Sequence, residues 1–245
     1  MKYLVFASRN QKEMLRDPLN LGFGIGFPLI LLLLLSAIQA NIPVSLFEID
    51  KLSPGIAVFG LSFVSLFSGT LIAKDRSTSF LMRLFASPMS AADFIFGYVL
   101  PLLPMALMQS IICFVAAIVL GLKCNLNIIV AIVVLIPAAL LFIAIGLLAG
   151  TVFNDKQVGA VCGALLTNLS AWLSGTWFDL NLVGGMFKKI AYMLPFVHAV
   201  DAGKAAISGE YTSIMPHLWW VMGYAGIVML IAIIVFKRKM NSDKV

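Results

Sequence analysis

Charge in this chain is confined to short islands. Between them lie six uncharged stretches of about 20 residues or more, the length a helix needs to cross a bilayer core. They run from Leu21 to Ala40, Leu52 to Ala73, Phe94 to Leu122, Ile128 to Phe153, Val158 to Phe178 and Leu218 to Phe236. All 17 Lys and Arg and all 11 Asp and Glu lie outside them. A Lys, Arg or Asp at mid-membrane costs about 2.5–3.5 kcal/mol on insertion scales, so complete segregation predicts six membrane-embedded helices. Composition agrees, because only 11% of the 245 residues are charged, against about a quarter in soluble chains. A porin-like barrel would show short alternating segments, and these are absent.

The cations also orient the chain. The leader carries Lys2, Arg9, Lys12 and Arg16, the second loop Lys74, Arg76 and Arg83, the fourth loop Lys156, and the tail Lys237, Arg238, Lys239 and Lys244. The opposite side holds only Lys51, Lys123, Lys188, Lys189 and Lys204. This asymmetry predicts that both termini are cytoplasmic. It accounts for the net charge of +6 as a topology signal and excludes nucleic acid as a partner. Small residues from Ser36 to Asn41 follow a leucine run, as in a cleaved signal peptide. The long charged leader and the Gly22, Gly24, Gly26 and Pro28 within the span favour a retained helix instead. Three cysteines define no disulfide framework.

The expected fold is therefore an all-α membrane protein with one transmembrane domain over 1–245, in which residues 21–236 hold six spans and 237–245 a basic cytoplasmic tail. Residues 1–17 mix Leu4, Val5, Phe6, Met14 and Leu15 with four cations, which suits a helix lying in the cytoplasmic interface; a frayed tail is the alternative. Asp17-Pro18 and Ser53-Pro54 predict helix starts, each a capping residue followed by Pro at the first helical position. Gly22/Gly26, Gly146/Gly150 and Gly159/Gly163 have the four-residue spacing that lets helix backbones approach closely, either within the chain or across a dimer seam. Pro101 and Pro104 should bend or restart the third span. The fifth loop, Asp179 to His217, is apolar but interrupted, and predicts short re-entrant or interfacial helices on the outer face, with a plain loop as the alternative.

The chemistry is mostly negative. No GxxxxGK[ST] sequence occurs, and Gly203-Lys204 is no fragment of one, so no loop cradles nucleotide phosphates. His198 and His217 sit apart with no Cys or carboxylate cluster, which gives no metal site, and Cys113 and Cys162 suit small core positions. No span contains an Asp, Glu or His as a proton relay, so a pump built on this chain needs an external engine. Two stretches could line a path. Phe59, Phe63 and Phe67 recur every fourth residue beside Ser62, Ser65 and Ser68, and Thr167, Asn168, Ser170, Trp172 and Ser174 mark the fifth span. Simple packing is the alternative for the aromatic stripe.

Four groups of residues, taken in order and spacing, resemble a known family. They are the leader from Arg9-Asn10-Gln11-Lys12 to Asp17-Pro18 with Phe27-Pro28; Asp75-Arg76 followed by Arg83-Leu84-Phe85-Ala86-Ser87-Pro88; Asn154-Asp155-Lys156; and Leu194-Pro195 through Asp201 to Gly209. They are similar to the type-2 ATP-binding-cassette exporter permeases, bacterial membrane subunits encoded apart from their ATPases. Members often carry Gly-Thr-Leu-Glu where this chain has Ser79, Phe80, Leu81 and Met82. The resemblance implies a six-helix permease in the bacterial cytoplasmic membrane, paired with a second copy or a paralogue and docked on two cytoplasmic ATPase subunits. Those partners would bind ATP and Mg, and this chain would hold no cofactor. Asp75, Arg76, Arg83, Leu84, Phe85, Ser87 and Pro88 would form the coupling helix and its approach. Phe59, Phe63, Phe67, Thr167, Asn168, Ser170 and Trp172 would face the central path. The expected cargo is a hydrophobic or amphipathic drug, antibiotic or antimicrobial peptide, with lipid-linked polysaccharide as the alternative. A passive channel and an integral membrane enzyme are the readings from other classes.

Overall fold

The computed structural model describes residues 2–43, 45, 47–78, 80–81 and 89–242, and no strand occurs among them. Helix α1 (Lys2–Leu15) leads to α2 (Pro18–Leu21), a π-helical turn (Gly22–Gly26) and α3 (Phe27–Gln39). Then come α4 (Ile49–Ser77), α5 (Ala91–Val119), α6 (Asn127–Val134) and α7 (Ile136–Val152). A composite run follows: α8 (Asp155–Val158), a π-helical segment (Gly159–Leu166) and α9 (Thr167–Leu173). Three shorter helices, α10 (Leu180–Val183), α11 (Gly185–Met193) and α12 (Pro195–Ser208), precede the long α13 (Tyr211–Ser242).

Among the described residues, five helical segments are long and apolar enough to cross a membrane: Gly22–Gln39, Ile49–Ser77, Ala91–Val119, Asn127–Val152 and Tyr211–Asn241. The remaining predicted span, 158–178, is helical only to Leu173 and shifts to π hydrogen bonding over Gly159–Leu166. Its path is nonetheless legible from its neighbours on α4. A Cβ on Gly69 would meet Val158, Leu66 lies beside Gly163, Trp177 meets the Phe59 ring and Thr176 sits on Gly55. The run thus travels back along α4 over about 21 Å of helix. At one end of the bundle α1 touches the end of α4, α4 touches the end of α7, and Phe94 touches Phe236. The opposite end gathers Gly55 and Thr176, Asn127 and Ile207, and Tyr211 and Asn127. Helix α1 and the last turns of α13 therefore share an end.

Helix α4 is the central element, and almost every residue from Leu52 to Ala73 is buried. Its small residues make that possible. Ser68 Oγ donates to the Ile143 carbonyl of α7 at 3.2 Å, and Cβ atoms on Gly146 or Gly150 would overlap Ser65, Ser68 and Gly69. The Gly146/Gly150 pair is thus a packing seam within the chain. Among the described residues, nothing lies within 4 Å of a Cβ on Gly22, Gly26 or Gly159, and the atoms nearest to one on Gly163 belong to Leu66.

Several local expectations need correction. Helix α4 begins at Ile49, a turn before Ser53-Pro54, so Pro54 lies inside it. Pro101 and Pro104 do not restart α5, which is continuous and begins at a Ser90/Asp93 capping box. The expectation of short helices in the fifth loop, by contrast, holds: Gly184 (φ 60°) separates α10 from α11, and Gly185 (φ 55°) opens α11. His198 and His217, set apart in sequence, meet in space.

Candidate functional site

Two places carry the polar and aromatic residues singled out by the sequence. The first is a buried ionic hub where α1 crosses the ends of α4 and α5. Its centre is Asp75, 2% exposed near the end of α4. Asp75 Oδ2 accepts from Arg9 Nη1 at 2.8 Å and from Tyr98 OH at 2.7 Å. A buried carboxylate is tolerable only when paired and hydrogen-bonded in this way. The Arg9 guanidinium also pairs with Glu13, donates to Asn10 Oδ1 at 2.9 Å and lies 4.2 Å above the Phe80 ring. Burial lowers the Arg9 pKa, but Asp75, Glu13 and Tyr98 together outweigh it and leave the group above its ordinary value. Burial, with Asp75 nearby, raises the Glu13 carboxyl despite the opposing Arg9.

Fully buried Asn10 shows how the sequence builds the dock. Pro101 has no N–H for the Gly97 carbonyl four residues earlier, and Asn10 Nδ2 donates to that carbonyl at 3.2 Å. Gly97 has no side chain because Phe6 fills its place, edge-on to Tyr98 and Phe94. Beside the hub, Arg76 Nη1 donates to the carbonyls of Gly150 at 2.8 Å and Phe153 at 3.3 Å, binding the cation to the open C-terminal end of α7. The approach to residues 79–88 is thus tied to α1, α5 and α7 together. Of the expected coupling residues, the structure places Asp75 and Arg76 here. Arg83, Leu84, Phe85, Ser87 and Pro88 lie outside the described residues.

The second place is an aromatic groove of about 700 Å³ between α3, α4 and α9. Phe59 and Phe63 form its floor, 5.6 Å apart edge to face, with Phe27 5.5 Å from Phe63 and Trp177 5.6 Å from Phe59. Thr167, Asn168 and Trp172 form the facing wall, and Phe23 and Phe178 close it. Among the described residues, none that lines it is charged. Asn168 donates to the Ala164 carbonyl one turn back at 2.8 Å. Two expected path residues sit elsewhere. Phe67 packs on Gly24, and buried Ser170 donates to the Thr167 carbonyl. Ser62, Ser65 and Ser68 are fully buried and face protein, with Ser62 and Ser68 donating to carbonyls.

Sequence reasoning missed Phe6, Tyr98 and Phe80 at the hub, and Phe23, Phe27, Trp177 and Phe178 at the groove. Phe23 and Phe27 repeat the four-residue spacing of Phe59 and Phe63, so that pair was readable. Pro101 marked an unpaired carbonyl at Gly97, but nothing local identified its donor.

The model of the ABC-2 type transporter family matches residues 1–207 of this chain. A protein of Porphyra purpurea named as a transport permease, ycf38, is 35% identical over 130 residues. That match covers 49% of this chain and 45% of the relative, so it spans less than half of either.

Proposed function

Because the chain belongs to the ABC-2 type transporter family, we propose that this membrane permease is the transmembrane subunit of an ATP-driven exporter, with its engine on separate cytoplasmic ATPase subunits. Two such subunits would bind ATP and Mg, and a second copy or a paralogous permease would complete the path. The composite run 155–173 serves as the sixth crossing, α1 lies in the cytoplasmic interface, and α10 to α12 dip into the outer face of a bacterial cytoplasmic membrane. Both termini are cytoplasmic in this arrangement.

The observation that carries the reading is the hub around Asp75. A push on residues 83–88 reaches α4 through Asp75 and Arg76, α1 and α5 through Arg9 and Tyr98, and α7 through Gly150. Helix α4 is packed on nearly all sides and responds as a near-rigid rod. Phe59 and Phe63 ride on that rod, while Thr167, Asn168 and Trp172 ride on α9, so relative motion opens or narrows the groove. Its aromatic, uncharged lining suits a hydrophobic or amphipathic cargo, held by stacking and one or two hydrogen bonds.

The test is reconstitution of the chain in proteoliposomes with the ATPase encoded beside it, measuring ATP hydrolysis and export of a fluorescent hydrophobic dye. ATP-dependent export is expected only with the partner, and Phe63→Ala should lower it at least several-fold while the complex still assembles. ATP hydrolysis by the purified chain alone would overturn the reading, as would ATP-independent ion conduction in a voltage-clamped bilayer.

A further inference from the structure

We propose that His198 and His217 form a proton-operated latch holding the outer helix α12 against α13, closed while the pair carries at most one added proton and released by the second. The inference rests on side-chain geometry and does not depend on the transport reading. The two Nδ1 atoms are 2.8 Å apart, a hydrogen-bond distance that requires one proton between them. His198 Nε2 is 3.0 Å from the Tyr192 carbonyl, which can only accept. Nε2 therefore carries a hydrogen, and in the neutral ring Nδ1 is left bare as an acceptor. His217 must then carry its hydrogen on Nδ1 and donate it, which leaves its Nε2 bare.

This assignment orders the protonation steps. A first proton on His217 Nε2 leaves the Nδ1–H donor in place and makes the bond charge-assisted. A second must go to His198 Nδ1, which removes the acceptor and sets two N–H groups of two cations against each other. The surroundings favour that order. His198 is 5% exposed, with the Trp220 indole stacked on it at 4° and 5.2 Å and the Tyr192 ring edge-on at 5.7 Å. Burial and the neighbouring His217 hold the His198 pKa down, opposed by the Tyr192 carbonyl and Asp201.

The other charged and titratable groups do not break the bond by themselves. On α12, Asp201 accepts from Tyr192 OH at 3.1 Å, and Lys204 reaches toward the Gly175 carbonyl. On α11, Lys188 lies 5.8 Å over the Tyr192 ring. Asp179, before α10, acts on Tyr192 from farther away. On α13, Tyr224 OH donates to the Met193 carbonyl at the end of α11 at 2.7 Å, a second tie made by an uncharged hydroxyl-to-carbonyl hydrogen bond. The His pair is thus the member of this joint that weakens on acidification.

The chain contains two histidines, so their ring signals can be followed by NMR in the full chain in lipid nanodiscs, with His198→Gln and His217→Gln to assign them. Coupled titration is expected, the second step lying at least about one pH unit below the first, with a single step for the remaining ring in each variant. Amide exchange over Tyr192–Ser208, corrected for intrinsic pH dependence, should rise through the second step in the native chain. The double variant, whose glutamines hydrogen-bond without titrating, should show no such rise. Two independent titrations unchanged in the single variants would overturn the latch. So would exchange over Tyr192–Ser208 that has no acid step in the native chain, or the same step in the double variant.

Discussion

Pro101 interrupts the hydrogen-bond ladder of α5, and the carbonyl it frees is the one that holds Asn10. A residue that normally costs a helix about 3 kcal/mol therefore becomes an attachment point for α1. Asp75 is a similar case, a carboxylate kept at 2% exposure by donors from two other helices. Tyr98→Phe keeps the ring against Phe6 but removes a short bond to a buried charge. It should cost about 1.5–3 kcal/mol in denaturant unfolding of the detergent-solubilised chain. A change below a few tenths of a kcal/mol would mean that Arg9 alone satisfies Asp75. The sequence marked Asp75, Arg76 and Asn10 through motif resemblance, and it could not show that Tyr98 reaches Asp75. That bond joins residues 23 positions apart on different helices, beyond any local periodicity.

At the scale of elements, hydrophobic segregation located the spans but not the order in which they pack. Every span is apolar, so apolarity cannot single out the central one. The better signal is size. Gly55, Gly60, Gly69 and four buried serines let α4 accept close neighbours along its length. The three glycine pairs looked equivalent in sequence, and only packing separates them. Gly146→Ala forces a Cβ into Ser68 Oγ and the Ser65 carbonyl, so α4 and α7 must move apart, at an expected cost of about 1–3 kcal/mol or more. Gly22→Ala points into open space and should be neutral or slightly stabilising in the same unfolding assay. Equal losses at the two sites would show that another surface covers Gly22. The aromatic groove is likewise a property of the assembly of elements. Phe59 and Phe63 share a face of α4 by spacing, whereas Phe67 packs against Gly24, where the missing side chain leaves room for its ring.

For the whole molecule, the orientation can be tested through its own cysteines. Cys113 and Cys162 are buried, while Cys124 is exposed between α5 and α6, at the end away from the hub. A membrane-impermeant maleimide applied to intact cells should label Cys124 alone, with the other two reacting only after denaturation. Labelling confined to inside-out vesicles would invert the topology. The sequence by itself determined that this is a multi-pass helical membrane chain, because the cost of burying charge in lipid writes the span pattern directly into residue order. It also carried the family motifs, because their spacing is local. Only the tertiary structure decided that Asp75 is shared by α1 and α5, that the glycine seam lies inside the chain, and that two distant histidines share one proton bridge. Those contacts depend on which faces of equally apolar helices meet, and that choice is made by steric fit and hydrogen-bond satisfaction between segments far apart in sequence.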